Sequence, residues 1–297
     1  MKRRTFLTTA TATTGSLLAN HHSEKKISSE NSNIYLSLKD NMIGEGGSLA
    51  EKYALIKELG YDGVELSVPK RVNLEEAVTA SKKADLPIHG SVNSVHWSIK
   101  MSSPDEAERA KAVEAMKACL LETHQAGGSS VLLVPGVAGG EVSQKQAWDR
   151  SIVEIQKCLP LASKLGLHIG IENVWNGMFY DPKGPNTQTA DLLKNYLDEI
   201  NSPWVGSYFD IGNHQRFGKP AEWIKILGRR IMKLDVKDWG VKGGFGKIGE
   251  GDVDWPAVRA SLQDIGYSGW ATAEVGGGKK NRLAEILKNM RTHLLGK

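Results

Sequence analysis

The sequence has little of several features that would assign a function directly. Only two of its 297 residues are cysteine, Cys119 and Cys158, and both fall inside predicted helices. We interpret them as buried small hydrophobic side chains, because no histidine partner marks either as a nucleophile and a disulfide cannot be inferred from sequence. The formal net charge is only +4. No basic stripe interleaved with aromatic residues is present, which argues against nucleic-acid binding.

Long hydrophobic runs are also missing, including at the N-terminus. The first twenty residues, MKRRTFLTTATATTGSLLAN, begin basic and continue through a mild Thr/Ala-rich stretch that is too short for a membrane span. The pair Arg3-Arg4 followed by TFL resembles a twin-arginine export signal. No cysteine follows the apolar stretch, so we expect no stable membrane anchor.

We interpret residues 1–33 as this export signal, with Ala19 as a candidate end, followed by a polar linker. The signal predicts a periplasmic or exported protein. The alternative is a disordered basic tail on a cytoplasmic protein.

Residues 34–297 alternate between β-rich runs and amphipathic helical stretches. The predicted strands are Ile34–Leu38, Gly63–Ser67, Pro87–Val92, Ser130–Val134, Leu167–Glu172, Val205–Asp210, Ile231–Val236 and Trp270–Glu274. The helical stretches between them are Ser48–Leu59, Pro104–Gln125, Ser143–Leu165, Gln188–Ile200, Pro220–Leu227, Pro256–Ile265 and Lys279–Leu294. Eight strands alternating with helical stretches predict a single closed (β/α)8 TIM barrel of the α/β class, because parallel strands need crossover helices and closure removes exposed edges.

An open doubly wound sheet is the alternative α/β arrangement. The sequence has no glycine-rich fingerprint after its first strand, which that arrangement would need for a nucleotide. The glycine-rich segment GGFGKIGEG, residues 243–251, follows the seventh strand and opens no P-loop. We therefore expect the closed barrel.

Acidic residues stand at the ends of the last four predicted strands, where such a barrel builds its active face. They are Glu172, Asp210, Asp235 and Glu274, each flanked by apolar residues. Neighbouring strands lie about 4.8 Å apart, so four converging carboxylates would repel one another, and a buried unpaired carboxylate is costly. A divalent cation removes that conflict, and an all-carboxylate shell favours Mn²⁺, Mg²⁺ or Co²⁺.

A simpler interpretation exists for each carboxylate taken alone. A single carboxylate at a strand end is usually a helix N-cap or half of a salt bridge. Lys233, Lys237 and Arg216 are the basic residues that would each neutralise one.

Six motifs, in order and spacing, resemble a known family. YDGVEL, HIGIENV, PWVGSYFDIGN, KLDVKDW, GEGDVDWPAV and YSGWATAEV resemble the xylose isomerase-like TIM-barrel superfamily. Within it they are similar to the sugar (phosphate) isomerase/epimerase group that includes D-tagatose 3-epimerase and L-ribulose-5-phosphate 3-epimerase. The resemblance covers the chain after the linker. It implies a sugar isomerase or epimerase that depends on one divalent metal (Mn, Mg, Co or Zn) and works through an enediolate.

The resemblance also implies a ligand set of one Asp, one His and two Glu. By motif these are Glu172 of IEN, Asp210 of DIGN and Glu274 of AEV, while the His position holds Asp235. Glu172 and Glu274 would in addition be the catalytic acid/base pair. An aspartate in place of imidazole gives a more anionic shell, or marks a site whose metal has been lost or changed.

Further residues near the strand ends are candidates for substrate binding. They are Glu65, His96, Trp175, Asn213, His214 and Lys237. His96 has an alternative as a loop residue packed beside Trp97. Trp175 either stacks on a sugar face or covers the barrel mouth, and the two roles are compatible.

Export bears on the substrate, because sugar phosphates are mainly cytoplasmic. We therefore expect an unphosphorylated sugar or sugar derivative as the small-molecule partner. One alternative is a lyase or hydratase acting on 3-keto-sugars in the same site. Another is a non-catalytic sugar-binding barrel, which predicts that Lys and Arg hold the strand-end carboxylates and that no metal binds. A DNA-repair endonuclease of the same fold would need a His-rich trinuclear site and a basic groove, and few histidines stand at the predicted strand ends of this sequence. The resemblance also implies a homodimer formed through barrel-end loops.

Overall fold

A computed structural model of the chain describes residues 33–297. Its strands, in chain order, are β1 (Ile34–Lys39), β2 (Gly63–Val68), β3 (Ile88–Asn93), β4 (Ser130–Leu133), β5 (His168–Glu172), β6 (Val205–Asp210), β7 (Ile231–Val236), β8 (Asp238–Gly240), β9 (Gly244–Gly246) and β10 (Gly269–Ala273). Eight of them close a parallel barrel in the order β1-β10-β7-β6-β5-β4-β3-β2, and β8 pairs with β9 in a separate hairpin. The predicted (β/α)8 barrel is confirmed. The expected signal and linker lie outside the described residues, apart from Asn33.

The helices cover the outside of the barrel. They are α1 (Leu49–Leu59), α2 (Leu74–Ala84), α3 (Glu106–Gln125), α4 (Gln144–Gln156), α5 (Leu159–Leu165), α6 (Asp191–Ile200), α7 (Ile211–Gln215), α8 (Pro220–Leu227), α9 (Trp255–Asp264) and α10 (Lys280–Asn289). Short 3₁₀ turns lie at Asp40–Met42 and Gly228–Arg230, and a π-helical turn at Met290–Leu295 follows α10. None of the helices described in residues 33–297 is long and apolar enough to cross a membrane.

All eight barrel strands agree with the predicted ones to within one residue at each end. Most of their apolar residues are buried on both faces, against the helices outside and against other strands inside, as a parallel sheet requires. Cys119 and Cys158 are buried free thiols, as predicted. Burial raises the pKa of the Cys158 thiol to about 12, so it carries no thiolate near neutral pH.

Two helical predictions needed correction. The stretch predicted as one helix from Ser143 to Leu165 is two helices, because Pro160 has no backbone N–H to continue the ladder and sits in the first turn of α5. Helix α2 was not among the predicted stretches, although its start carries an ordinary signal: the Asn73 side chain accepts a hydrogen bond from the Glu76 N–H at 3.2 Å.

After β6 the chain continues directly into the short helix α7. The Asp210 carboxylate caps it by accepting a hydrogen bond from the Asn213 N–H at 2.7 Å. Gly212 is needed here, because a Cβ at this position would lie 2.8 Å from the backbone carbonyl oxygen of Lys237. The absence of that side chain lets α7 rest against the end of β7 and brings two strand ends together.

The hairpin of β8 and β9 rises above the barrel and was not predicted. Asp238 anchors it from below, since its carboxylate accepts hydrogen bonds from Gly249 N–H at 2.9 Å and from Trp255 Nε1–H at 2.9 Å. The hairpin carries Phe245 to the edge of the barrel mouth, where 48% of that residue is exposed. The glycine-rich segment of the sequence analysis therefore provides part of a rim.

Candidate active site

The four strand-end carboxylates meet at one point of the barrel mouth. Glu172 and Asp210 are the last residues of β5 and β6, Asp235 is the next-to-last residue of β7, and Glu274 directly follows β10. One oxygen atom from each lies within 4.8 Å of one from every other. Glu172, Asp210 and Asp235 are buried, while 31% of the Glu274 side chain is exposed. The structure thus brings together all the carboxylates that the strand ends predicted.

Two lysines lie among these carboxylates. Lys39 Nζ lies 3.0 Å from Asp235 Oδ2 and 2.7 Å from Glu274 Oε1. Lys237 Nζ lies 2.8 Å from Asp210 Oδ2 and 2.6 Å from Glu274 Oε2. Both oxygens of Glu274 are therefore held by ammonium groups.

Lys39 was missed by the sequence analysis. It is the last residue of β1, and the barrel closes by pairing β1 with β10, which delivers Glu274. A signal was available, because a charged residue at the end of an apolar strand is the same feature that selected the four carboxylates.

Of the three basic residues considered as neutralising partners, Lys237 contacts carboxylates of the cluster. Lys233 instead contacts His89 Nδ1 at 2.8 Å, and Arg216 lies over the Trp175 ring at 4.5 Å.

The two glutamates experience opposite electrostatic environments. Burial, followed by the charge of Glu274, raises the pKa of the Glu172 carboxyl well above its usual value. Burial also acts to raise the pKa of Glu274, but the ammonium groups of Lys39 and Lys237 outweigh it and hold that pKa well below its usual range. Burial raises the pKa of Asp210 to about 7, against the opposing charge of Lys237.

The residues present fit a divalent cation. If all four carboxylates are ionised, two lysines leave two negative charges, which one divalent ion would balance. Asp235 Oδ1 is buried and has no hydrogen-bond partner among the described residues, and such an atom is costly unless something binds it. Carboxylate oxygens suit hard or borderline ions such as Mn²⁺ and Mg²⁺.

Two asparagines tie β5 to β6 beneath the cluster. The Asn173 side chain accepts a hydrogen bond from the Asp210 N–H and donates one to the Asp210 carbonyl, both at 2.8 Å. Asn213 donates from Nδ2 to Glu172 Oε1 at 3.3 Å and to the Asn173 carbonyl at 3.0 Å. Asn213 was predicted as a substrate contact, and it both lines the cavity described next and orients Glu172.

A cavity of about 670 Å³, the mouth cavity, opens above the carboxylates. Of the predicted substrate-binding residues it is lined by His96, Trp175, Asn213 and Lys237. Lining residues that the sequence analysis did not assign to substrate include Asp40, Asn41, Ser67, Arg71, Asn93 and Phe245. Five of these six lie at or just after the ends of β1, β2 and β3, which carry no carboxylate pattern comparable to that of the last four strands.

His96 presents a fixed donor to this cavity. Its Nδ1 accepts a hydrogen bond from the Val134 N–H at 3.1 Å, so the proton of the neutral ring resides on Nε2. Burial, helped by the charge of Lys39, lowers the pKa of His96 to about 3, which keeps the ring neutral. It also packs edge-on against Trp97 with ring centroids 5.6 Å apart. His96 therefore both packs against Trp97 and lines the mouth cavity.

An aromatic wall forms one side of the mouth cavity. Trp175 donates from Nε1 to the Asn213 carbonyl at 2.7 Å and stacks on Phe245 with ring centroids 4.9 Å apart. The wall is amphipathic and partly exposed, which suits contact with the apolar face of a sugar ring.

Two predicted substrate residues lie elsewhere. His214 is fully buried behind β6, with its ring centroid 3.8 Å from that of Trp223, and it does not line the mouth cavity. Glu65 is fully buried inside the barrel, where it accepts a hydrogen bond from the Tyr208 hydroxyl at 2.9 Å. Sequence position alone placed both residues near strand ends, but the direction of each side chain depends on the packing around it.

Comparisons with known proteins agree with this architecture. A family model described as xylose isomerase-like TIM barrel matches residues 53–293. The chain is 26% identical over 255 residues to L-ribulose-5-phosphate 3-epimerase UlaE of Salmonella paratyphi C, covering 80% of this chain and 85% of the relative. Among solved structures, D-allulose 3-epimerase from Methylomonas sp. in complex with D-allulose superposes with a TM-score of 0.71 at 19% identity, covering 89% and 98% of the two chains. The IolI protein with a bound zinc atom superposes with a TM-score of 0.73 at 16% identity, covering 88% and 98%.

Proposed function

Because the chain belongs to the xylose isomerase-like TIM-barrel family, we propose that the protein is a sugar isomerase/epimerase acting on an unphosphorylated sugar or sugar derivative. The observation that carries the proposal is the convergence of Glu172, Asp210, Asp235 and Glu274 at the barrel mouth. Relatives named as sugar epimerases, one similar in sequence and one in fold, support it.

The reaction requires one proton to leave a carbon beside a carbonyl and one to return. Glu172 and Glu274 come from β5 and β10, which are separated in the barrel by β6 and β7, so they approach the substrate from different sides. One glutamate removes the proton and leaves an enediolate, and the other protonates the opposite face. No oxidant or second substrate is needed. His96 and Lys237 would donate hydrogen bonds to substrate oxygens.

We also propose that the four carboxylates hold one divalent metal. Two observations support this: Asp235 Oδ1 has no hydrogen-bond partner within residues 33–297, and the charges of the cluster would balance those of one divalent ion. When bound, the metal would supply positive charge to stabilise the developing oxyanion. The metal content of the purified protein, measured as described below, decides whether the ion is Mn, Mg, Co or Zn.

We also propose that the protein is exported, because its N-terminal sequence resembles a twin-arginine signal. A periplasmic location would separate the enzyme from most sugar phosphates, which favours unphosphorylated substrates. A homodimer through barrel-end loops stays a prediction from the family resemblance.

The test is proton exchange in D₂O, measured by mass spectrometry on unphosphorylated ketoses and 3-keto-glycosides. The wild-type protein, purified without chelator, is expected to hold about one divalent metal per chain and to incorporate deuterium. Glu172→Gln and Glu274→Gln should each lose exchange by at least about 100-fold, while Glu75→Gln, an exposed position on α2, should not. Absence of exchange and of metal would refute the proposal. A product altered by elimination would identify the lyase or hydratase alternative.

One observation favours the non-catalytic sugar-binding barrel as a second candidate. It predicted that basic residues hold the strand-end carboxylates, and Lys39 and Lys237 do so. The same experiment distinguishes this candidate, because a non-catalytic barrel would bind sugar, incorporate no deuterium and contain no metal after purification.

A further inference from the structure

The position at which the family resemblance places a metal-binding histidine holds Asp235, and Asp235 forms a salt bridge with Lys39, which it shares with Glu274. Lys39 lies 3.0 Å from Asp235 Oδ2, with side-chain exposures of 9% and 0%. Within residues 33–297, no other basic side chain forms a salt bridge with Asp235. The two residues are 196 positions apart in the chain, so only barrel closure makes the pair.

The charge of this pair equals that of the residue it replaces. A neutral imidazole brings no net charge to a metal shell, whereas an aspartate alone brings one negative charge. An aspartate paired with a lysine again brings none. The Oδ2 atom of Asp235 accepts the lysine hydrogen bond, whereas Oδ1 is buried, has no partner in the part of the chain that the structure describes, and can bind a cation.

We propose that Lys39 is the counter-charge that allows Asp235 to stand in place of an imidazole, and that it sets the affinity of the site for a divalent cation. The inference rests on the metal site of the proposed function. It assigns Lys39 a positioning role through Asp235 and Glu274, distinct from that of Lys237, which contacts Asp210 and Glu274 but not Asp235.

The role of Lys39 predicts opposite effects of two single substitutions. Lys39→Met removes a positive charge close to the cation, so the affinity for Mn²⁺ should rise by about tenfold or more. Asp235→His leaves Lys39 without its aspartate and removes one negative charge, so the affinity should fall by about tenfold or more. The double variant Lys39→Met/Asp235→His should return to within about threefold of wild type.

The experiment is calorimetric titration of Mn²⁺ into the metal-stripped full-length protein and these three variants, analysed as a double-mutant cycle. Lys145→Met is the matched control, because Lys145 is a surface lysine, 82% exposed, that also pairs with an aspartate; its Mn²⁺ affinity should equal that of wild type. Asp235→His binding as tightly as wild type, or a Mn²⁺ affinity unchanged by Lys39→Met, would overturn the proposal.

Thermal unfolding of the metal-stripped proteins gives a second measurement that needs no metal. Lys39→Met leaves the buried Asp235 carboxylate unpaired, so its melting temperature should fall, and adding Asp235→His should restore it. A melting temperature unchanged by Lys39→Met would contradict the pairing.

Failure of the proposed metal site can be distinguished from failure of this inference. If the wild-type protein binds no Mn²⁺ but Lys39→Met does, the metal part of the proposed function is wrong for the natural protein and the role of Lys39 is supported. If neither Lys39→Met nor the double variant binds Mn²⁺, the inference about Lys39 is overturned as well.

Discussion

Lys237 Nζ lies 2.6 Å from Glu274 Oε2 while also contacting Asp210 Oδ2 at 2.8 Å. The lysine, which directly follows β7, thus joins the end of β6 to the residue that follows β10, the two strands on either side of β7. Only 15% of its side chain is exposed, so the pair is largely protected from solvent screening. Its removal would leave the carboxylates of Asp210 and Glu274 with less positive charge to balance them.

The first prediction concerns this lysine. Lys237→Met should reduce deuterium exchange into substrate by at least about 100-fold, because it removes a substrate-facing ammonium group and changes the charge around Glu274. Lys237→Arg should recover part of the activity, because it keeps the charge. The measurement is the initial exchange rate for each variant. Equal rates for wild type and Lys237→Met would contradict the assignment.

The second prediction is a pH dependence of stability caused by Asp40, which lines the mouth cavity. Burial raises the pKa of Asp40 from 3.8 to about 6 in the folded protein. The folded state therefore holds the proton more tightly than the unfolded state. The associated stability is present below about pH 4 and is lost as the pH rises through 6.

Asp40→Asn, which resembles the protonated form, should therefore gain stability relative to wild type between pH 4 and pH 7. We expect the gain to reach about 1 to 2 kcal/mol, after allowance for the screening of a partly exposed carboxylate. Urea unfolding at several pH values measures it. Asp149→Asn, on the surface of α4, is the control. A stability difference that is the same at every pH would rule out this titration.

The third prediction concerns His214, which the sequence analysis expected at the substrate. Its ring packs against Trp223 and Tyr180 in the core. His214→Phe preserves an aromatic ring and should change the free energy of unfolding by less than about 1.5 kcal/mol. The KM for substrate should stay within about twofold of wild type. A large rise in KM with unchanged stability would show that His214 contacts substrate after all.

The fourth prediction concerns the aromatic wall. Phe245→Ala should raise the KM for a sugar substrate by about three- to tenfold with little change in kcat, because the stacked ring contributes about 0.5 to 1.5 kcal/mol. Val241→Ala, at the 77% exposed tip of the same hairpin, is the matched control and should change neither constant. Loss of kcat with unchanged KM would place Phe245 in the chemistry instead of the rim.

Sequence patterns predicted the barrel because each of its elements has a local signal. Apolar runs bounded by glycine and polar residues located the strands to within one residue, and carboxylates at the ends of β5, β6, β7 and β10 indicated the site. Helix α2 could have been found from its Asn73 cap. The division of residues 143–165 into two helices could have been expected from Pro160, since proline cannot donate to the helix ladder.

Other properties of the site were decided only by the tertiary structure. The partnership of Lys39 with Asp235 requires the first strand to close against the last, which no local pattern encodes. His214 and Asn213 are adjacent in sequence, yet α7 directs one into the core and the other toward Glu172. The sequence by itself determined the four carboxylates of the cluster, because the ends of strands are local features. The fold decided which charges neutralise one another, because salt bridges depend on distances between segments far apart in the chain.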